Sequence, residues 1–193
     1  MTYSRGMKML YRAVLAMSLL LVTACATPDL YKDQKMDFGS ISTVAVMPFA
    51  NLSKDPLAAE RVRDVFMTKL LATYGVYVLP PGEVARSFGV IGIVNPTAPT
   101  TEEITKIGLQ MKVDAVITGV VREYGEMRSG TAAANVISLS MQMYEVQTGK
   151  VIWSASSTYG GIGFIERLFG GGGEPMNDIT EKAINDILNK FYK

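Results

Sequence analysis

The chain has no histidine and a single cysteine, Cys25, in 193 residues. Those shortages exclude much chemistry. Ser–His–Asp and Cys–His nucleophilic centres, histidine-ligated metals, zinc ribbons, CxxC redox pairs and internal disulfides all need side chains that the sequence does not hold. Charge of one sign is also lacking. Nineteen Lys and Arg stand against 18 Asp and Glu, a formal net charge of +1, so the whole protein offers no basic field for nucleic acid. Hydrophobic residues make up 48% and charged residues 19%, which describes a packed globule and not a disordered chain. The length suits one ordinary domain. What remains open is carboxylate, lysine or tyrosine chemistry, or none.

The amino terminus reads as an address. Arg5, Lys8 and Arg12 form a cationic start without an acid, and the apolar run from Ala13 to Val22 follows. That run is too short for a bilayer core needing roughly 20 residues, but it suits the apolar region of a signal peptide. Thr23 and Ala24, both small, precede Cys25. The string Leu21-Val22-Thr23-Ala24-Cys25 resembles the lipobox of bacterial lipoproteins, with Val22 where leucine is commonest. The resemblance implies cleavage after residue 24 and lipidation of Cys25. Its bland alternative, a buried cysteine opening a core helix, weighs less because basic flank, apolar run, small residues and sole cysteine coincide in order. Ala26 in place of aspartate implies, by the same resemblance, the outer membrane and its periplasmic face.

Residues 26–40 are polar, contain Pro28 and Gly39 and lack apolar periodicity, so 25–40 is expected to be the lipidated cysteine with a tether. The alternative is a first edge strand pairing onto the domain. Residues 41–193 are expected to form a single periplasmic domain. Ile41–Phe49 is β-branched and almost continuously apolar, a buried strand that Pro48 can only end. Apolar positions from Leu57 to Tyr74 approximate one helical face, stopped by Gly75. Val76–Leu79 is a short strand ended by Pro80-Pro81, and a short helical stretch surrounds Glu83–Phe88. Thr101-Glu102-Glu103-Ile104 opens a helix with an acid-rich first turn. Val113–Val121 is apolar on both faces and therefore central. Asn135–Val146 alternates, with Ile137, Leu139, Met141 and Met143 on one side and Ser138, Ser140, Gln142 and Tyr144 on the other, as a half-solvated antiparallel strand does. Gln147-Thr148-Gly149-Lys150 turns into Val151–Ala155. A glycine-rich apolar loop at 160–173 leads to a last helix over 176–192, capped by Asn177 or Asp178. The expected fold class is α/β (α+β), a mixed sheet of about five strands with helices packed on it.

Three stretches carry a resemblance: Val44-Ala45-Val46-Met47-Pro48-Phe49-Ala50-Asn51, Val113-Asp114-Ala115-Val116-Ile117-Thr118-Gly119 and Val146-Gln147-Thr148-Gly149-Lys150-Val151-Ile152-Trp153. Together they resemble the periplasmic lipoprotein superfamily that includes CsgG, LpoB and PelC, and within it the small lipoproteins without an assigned role. Pro48, Asp114, Gly149 and Trp153 are the fold markers. They specify architecture well and activity hardly at all. Beside Pro48, which ends its strand, the other three also have a plain structural reading: a carboxylate accepting backbone N–H bonds at Asp114, a positive φ at Gly149, an aromatic anchor at Trp153. The segments beside Glu123–Ala134 and Ser156–Pro175 are too short and too rich in glycine and alanine to supply barrel spans of 9–11 alternating residues, so a CsgG-type pore is not expected. A soluble ring, as in PelC, stays compatible.

The least ordinary segment is Gly160–Gly173. It lacks the lysine and hydroxyl of a P-loop. Phe164, Ile165, Leu168 and Phe169 sit between its glycines at helical spacing, a candidate contact for a partner, a neighbouring subunit or a membrane, or else a flap over the core. Glu123, Glu126 and Arg128 follow the central strand, where paired carboxylates could do acid–base work, although charges at a strand's exit are usually solvated. Lys54-Asp55 and Arg61, Arg63 and Asp64 read as solvated faces and helix pairs. The expectation is a non-enzymatic, lipid-anchored accessory or scaffold subunit for envelope assembly or export, without cofactor, metal or nucleic acid. It would be held to the membrane by its anchor and would contact other envelope proteins and copies of itself. The alternatives are an activator of a peptidoglycan synthase and, from a different class, an enzyme using carboxylates or lysine.

Overall fold

A computed structural model describes residues 29–130, 132–162 and 173–192. Its chain order is β1 (Leu30–Lys32), a single 3-10 turn (Phe38–Ser40), β2 (Thr43–Val46), β3 (Ala50–Asn51), α1 (Ala58–Tyr74), β4 (Tyr77–Val78), α2 (Pro81–Ile91), α3 (Thr101–Met111), β5 (Ala115–Ser129), β6 (Ala132–Glu145), β7 (Val151–Gly160) and α4 (Met176–Tyr192). The strands form one mixed sheet in the order β1-β7-β6-β5-β2-β4, with β3 also pairing β5. β2 lies parallel to β4 and β5, whereas β5, β6, β7 and β1 form an antiparallel succession. This is the α+β architecture read from the sequence.

Two apolar clusters explain the strand patterns. Val44, Val46, Ala115 and Ile117 face α1 and α4, with Phe66, Leu70, Ile184 and Ile187. Ala45, Met47 and Val116 face α2 and α3, with Val84, Ile104 and Ile107. β2 and the first half of β5 are thus covered on both sides and read as continuous apolar runs. β6 is not. Ile137, Leu139, Met141 and Met143 join the first cluster, while Ser138, Ser140 and Gln142 stay partly or fully exposed.

Local signals account for most helix ends. Pro81 enters α2 at its first turn, where a missing N–H costs nothing. Thr100 and Glu103 form a reciprocal capping box at α3. At α4 the Pro175 carbonyl receives the amides of Asp178 and Ile179. Asn177 and Asp178, expected as caps, therefore lie inside the first turn.

Three differences from the sequence reading matter for function. From Asp29 onward the expected tether is docked, because β1 pairs antiparallel with β7; this is the edge-strand alternative. Counting it and the two-residue β3, the sheet has seven strands among the described residues rather than about five. Finally, β5 and β6 continue as a paired arm through Ser129↔Ala132, where the expected strands stopped at Val121 and resumed at Asn135. A register shift between Val121 and Glu123 breaks the period-2 pattern, and Gly125 and the Ala132–Ala134 run are poor strand formers. The arm was therefore hidden.

Candidate interaction surface

Asp114 enters β5 at the α3–β5 junction. One oxygen, Oδ2, accepts from the Ser42 amide, the Ser42 hydroxyl and the Thr43 amide, each at 2.9 Å. The Asp114 amide donates to the Thr43 carbonyl at 2.9 Å, so the residue stitches the start of β2 to the start of β5. Partial burial pushes its carboxyl upward, but the three hydrogen bonds outweigh that and hold it below the usual carboxylate value. Pro48 follows Met47, whose amide donates the ladder bond to Ile117 at 2.8 Å. Gly149 has φ +67, and a Cβ there would lie 2.5 Å from Thr101 Cγ2. Trp153 is 1% exposed and meets Phe191 edge-on at 5.4 Å. Asp114, Gly149 and Trp153 are held by folding contacts, and Pro48 stands just past the last ladder bond of its strand.

Arg63 differs from its expected solvated position. Its guanidinium donates to the Val46 carbonyl, and its Nε is buried without a partner among the described residues. Desolvation lowers its affinity for the proton, partly opposed by Glu60. The contact satisfies the last carbonyl of β2 as the chain leaves toward Pro48. Arg61, by contrast, is exposed as expected and pairs with Asp55, in the loop before α1, at 2.9 Å.

A polar cluster fastens β1. Lys190 of α4 donates to the Asp29 carboxylate at 2.5 Å, to the Ser156 carbonyl at 2.8 Å and to Asp186 at 2.8 Å. Ser157 donates to the same Asp186 oxygen at 2.7 Å, and the Ser156 amide donates to the Asp29 carbonyl at 2.9 Å. Burial alone would depress the Lys190 ammonium, but hydrogen bonds and charges from Asp186 and Asp29 raise it above the ordinary lysine value. The residues are 161 positions apart in sequence at the Lys190–Asp29 contact, so no local pattern could show it.

The arm carries the charged residues singled out from the sequence, and they lie within β5 instead of at its exit. β3 pairs β5 only as far as Val121, so no described strand covers the edge from Glu123 to Ser129. Beneath that edge lies a cleft of about 460 Å³ between the arm and the loop Leu52–Lys54. Arg128 and Glu126 are paired to each other, which occupies Glu126 in an ion pair. Met127 is 40% exposed. Among the described residues no cluster of three or more His, Cys, Asp or Glu could hold a metal, and no helix is long and apolar enough to cross a membrane.

At the root of the arm, the Asn135 carbonyl accepts the Gly161 amide at 2.8 Å, and Asn135 Nδ2 donates to the Glu174 carbonyl at 2.9 Å. Gly160 is needed there, since a Cβ would stand 2.1 Å from the Asn135 oxygen. Cys25 and the contact candidates Phe164, Ile165, Leu168 and Phe169 lie outside the described residues.

A sequence profile described as "Putative lipoprotein GNA1162-like" matches residues 36–163. The chain belongs to the GNA1162-like family. Its fold is similar to the crystal structure of lipoprotein GNA1162 from Neisseria meningitidis, at 20% identity and TM-score 0.57, covering 78% of this chain and 98% of that one. It is also similar to a PelC dodecamer from Paraburkholderia phytofirmans, at 17% identity and TM-score 0.54, covering 77% and 87%. The LpoB C-terminal domain from Escherichia coli aligns at 17% identity, 65% and 88% coverage and TM-score 0.49, too loose a likeness to bear on function. No curated protein sequence matches. For this GNA1162-like chain the neighbours establish the fold, and the link to CsgG rests on the sequence resemblance alone.

Proposed function

We propose that this GNA1162-like protein is lipidated at Cys25, anchored in the outer membrane, and serves as a non-enzymatic accessory or scaffold subunit in envelope assembly or export. The observation that carries the reading is how early the domain begins. Asp29, four residues after Cys25, is already clamped to β7 and α4, and four residues span at most about 14 Å. A domain on so short a leash works at the membrane surface, where confinement raises its effective concentration toward neighbours. Membership of a lipoprotein family supports the anchor.

Self-association is part of the proposal. A PelC of similar fold forms a dodecamer, and the uncovered β5 edge is a place where a second strand can add. Phe164, Ile165, Leu168 and Phe169 remain candidate subunit or partner contacts. Native mass measurement of acyl-free protein tests this. A closed assembly of several copies, weakened by joint Phe164→Ser and Phe169→Ser changes at unchanged thermal stability, supports the scaffold. A monomer that stimulates a peptidoglycan synthase supports the activator reading, which the short leash disfavours because a synthase lies across the periplasm. Turnover of cell-wall substrate abolished by one carboxylate change would instead make the protein an enzyme.

A further inference from the structure

The direction of β1 orients the domain. Leu30 pairs with Ala155 and Lys32 with Trp153, and the Ser156 amide donates to the Asp29 carbonyl. Followed backward from Lys32, the chain therefore runs along β7 toward Gly160. Gly160 pairs with Val136 at the root of the β5–β6 arm, beside Asn135 and Ile179 at the start of α4. The opposite end of the sheet carries the Gln147–Lys150 turn and the α3 helix packed against Gly149.

Cys25 lies within about 14 Å of Asp29 whatever path the intervening residues take. Extended along β7, that reach arrives level with Gly160. Folded fully back, it stops short of the Gln147–Lys150 turn. Five residues of β7 alone, from Ser156 to Val151, span about 17 Å at the rise of an antiparallel strand.

We propose that the arm end of the sheet faces the bilayer and that the Gln147–Lys150 turn points away from it. The proposal rests on the reading of Cys25 as the lipid attachment point. The surface at the arm end suits a headgroup layer. Met127 and Leu52 are exposed there, and the same cleft is lined by Lys54 and Arg122 as well as by Glu123 and the Glu126–Arg128 pair; Lys54 and Arg122 are cations of the kind that contact lipid phosphates. Glu123, Glu126 and Arg128 interrupt any apolar band, so the arm rests at the surface and does not insert.

The test uses full-length protein acylated in cells and reconstituted into phosphatidylethanolamine–phosphatidylglycerol vesicles containing headgroup spin-labelled lipid. Because acylation consumes the Cys25 thiol, Met127→Cys and Gln147→Cys variants each accept one fluorophore, at exposed positions on opposite ends. The expected result is loss of fluorescence by quenching for the Met127→Cys label and none for the Gln147→Cys label. Equal quenching, or quenching of the Gln147→Cys label alone, on protein whose mass shows the acyl chains, overturns the orientation while leaving the anchor intact. A mass without acyl chains overturns the anchor reading and this proposal with it.

Discussion

The Lys190 ammonium sits against the Asp29 carboxylate at 2.5 Å, so the last helix of the chain fastens its first described residue. Lys190 is the better buried of the two, its side chain 17% exposed against 57% for Asp29. The same ammonium also holds the Ser156 carbonyl and Asp186. One side chain thus joins β1, β7 and α4 at the sheet edge.

Replacing it should free that edge. Lys190→Met removes a charge-assisted donor and leaves Asp186 with only the Ser157 hydroxyl, a loss of about 1–2 kcal/mol. Denaturant midpoints should fall, and amide hydrogen exchange at Leu30–Lys32 should accelerate more than at β5. Since the Lys190 pKa is raised on folding, its contribution is fully present below the ordinary lysine value of about 10.4 and is lost as pH climbs through the folded value. The variant should lack that alkaline loss.

Asp114 gives the opposite slope. Its folded pKa is lowered, so its contribution is complete above the ordinary aspartate value of about 3.9 and disappears as pH falls through the folded value. The carboxylate is solvent-exposed, which limits the effect of Asp114→Asn at neutral pH to about 1 kcal/mol. Urea titrations of both proteins should converge in acid. Curves that stay equally separated down to pH 2 would falsify the charge-based account of this junction.

Two glycines with similar φ should behave differently. Gly130 has φ +60 and nothing within 4 Å of an added Cβ, whereas Gly149 has φ +67 and Thr101 atoms at 2.5 and 3.0 Å. Asparagine tolerates left-handed backbone, so Gly130→Asn should shift the melting temperature little. Gly149→Asn must also push the first turn of α3 away, and should cost about 1–3 kcal/mol, as overpacking does. Scanning calorimetry on the pair checks it.

Trp153 is the sole tryptophan and is wedged against Phe191. Trp153→Ala should cost about 3–5 kcal/mol, enough to unfold many domains of this size. In the unaltered protein its emission should be blue-shifted and should move red in one step with the loss of helical circular dichroism. Separate transitions would mean that α4 detaches before the sheet melts.

Much of this protein was legible from residue order because its signals are local. Apolar runs on both faces marked β2 and early β5, strict alternation marked β6, and Pro81, Gly75 and Gly149 marked turns and helix ends through constraints on single φ angles. The fold markers could likewise be placed, since a proline that stops a ladder or a glycine at positive φ acts where it stands. Tertiary structure alone decided the rest. Whether 29–32 was tether or strand depended on Lys190, more than 150 residues away. Arg63 became a half-buried donor because Val46, on another element, needed one. The arm survived a bulge at Arg122 because β6 supplies its hydrogen bonds from across the hairpin. Sequence determines what a segment prefers by itself; the partner that satisfies its leftover polar groups is chosen only when distant segments meet.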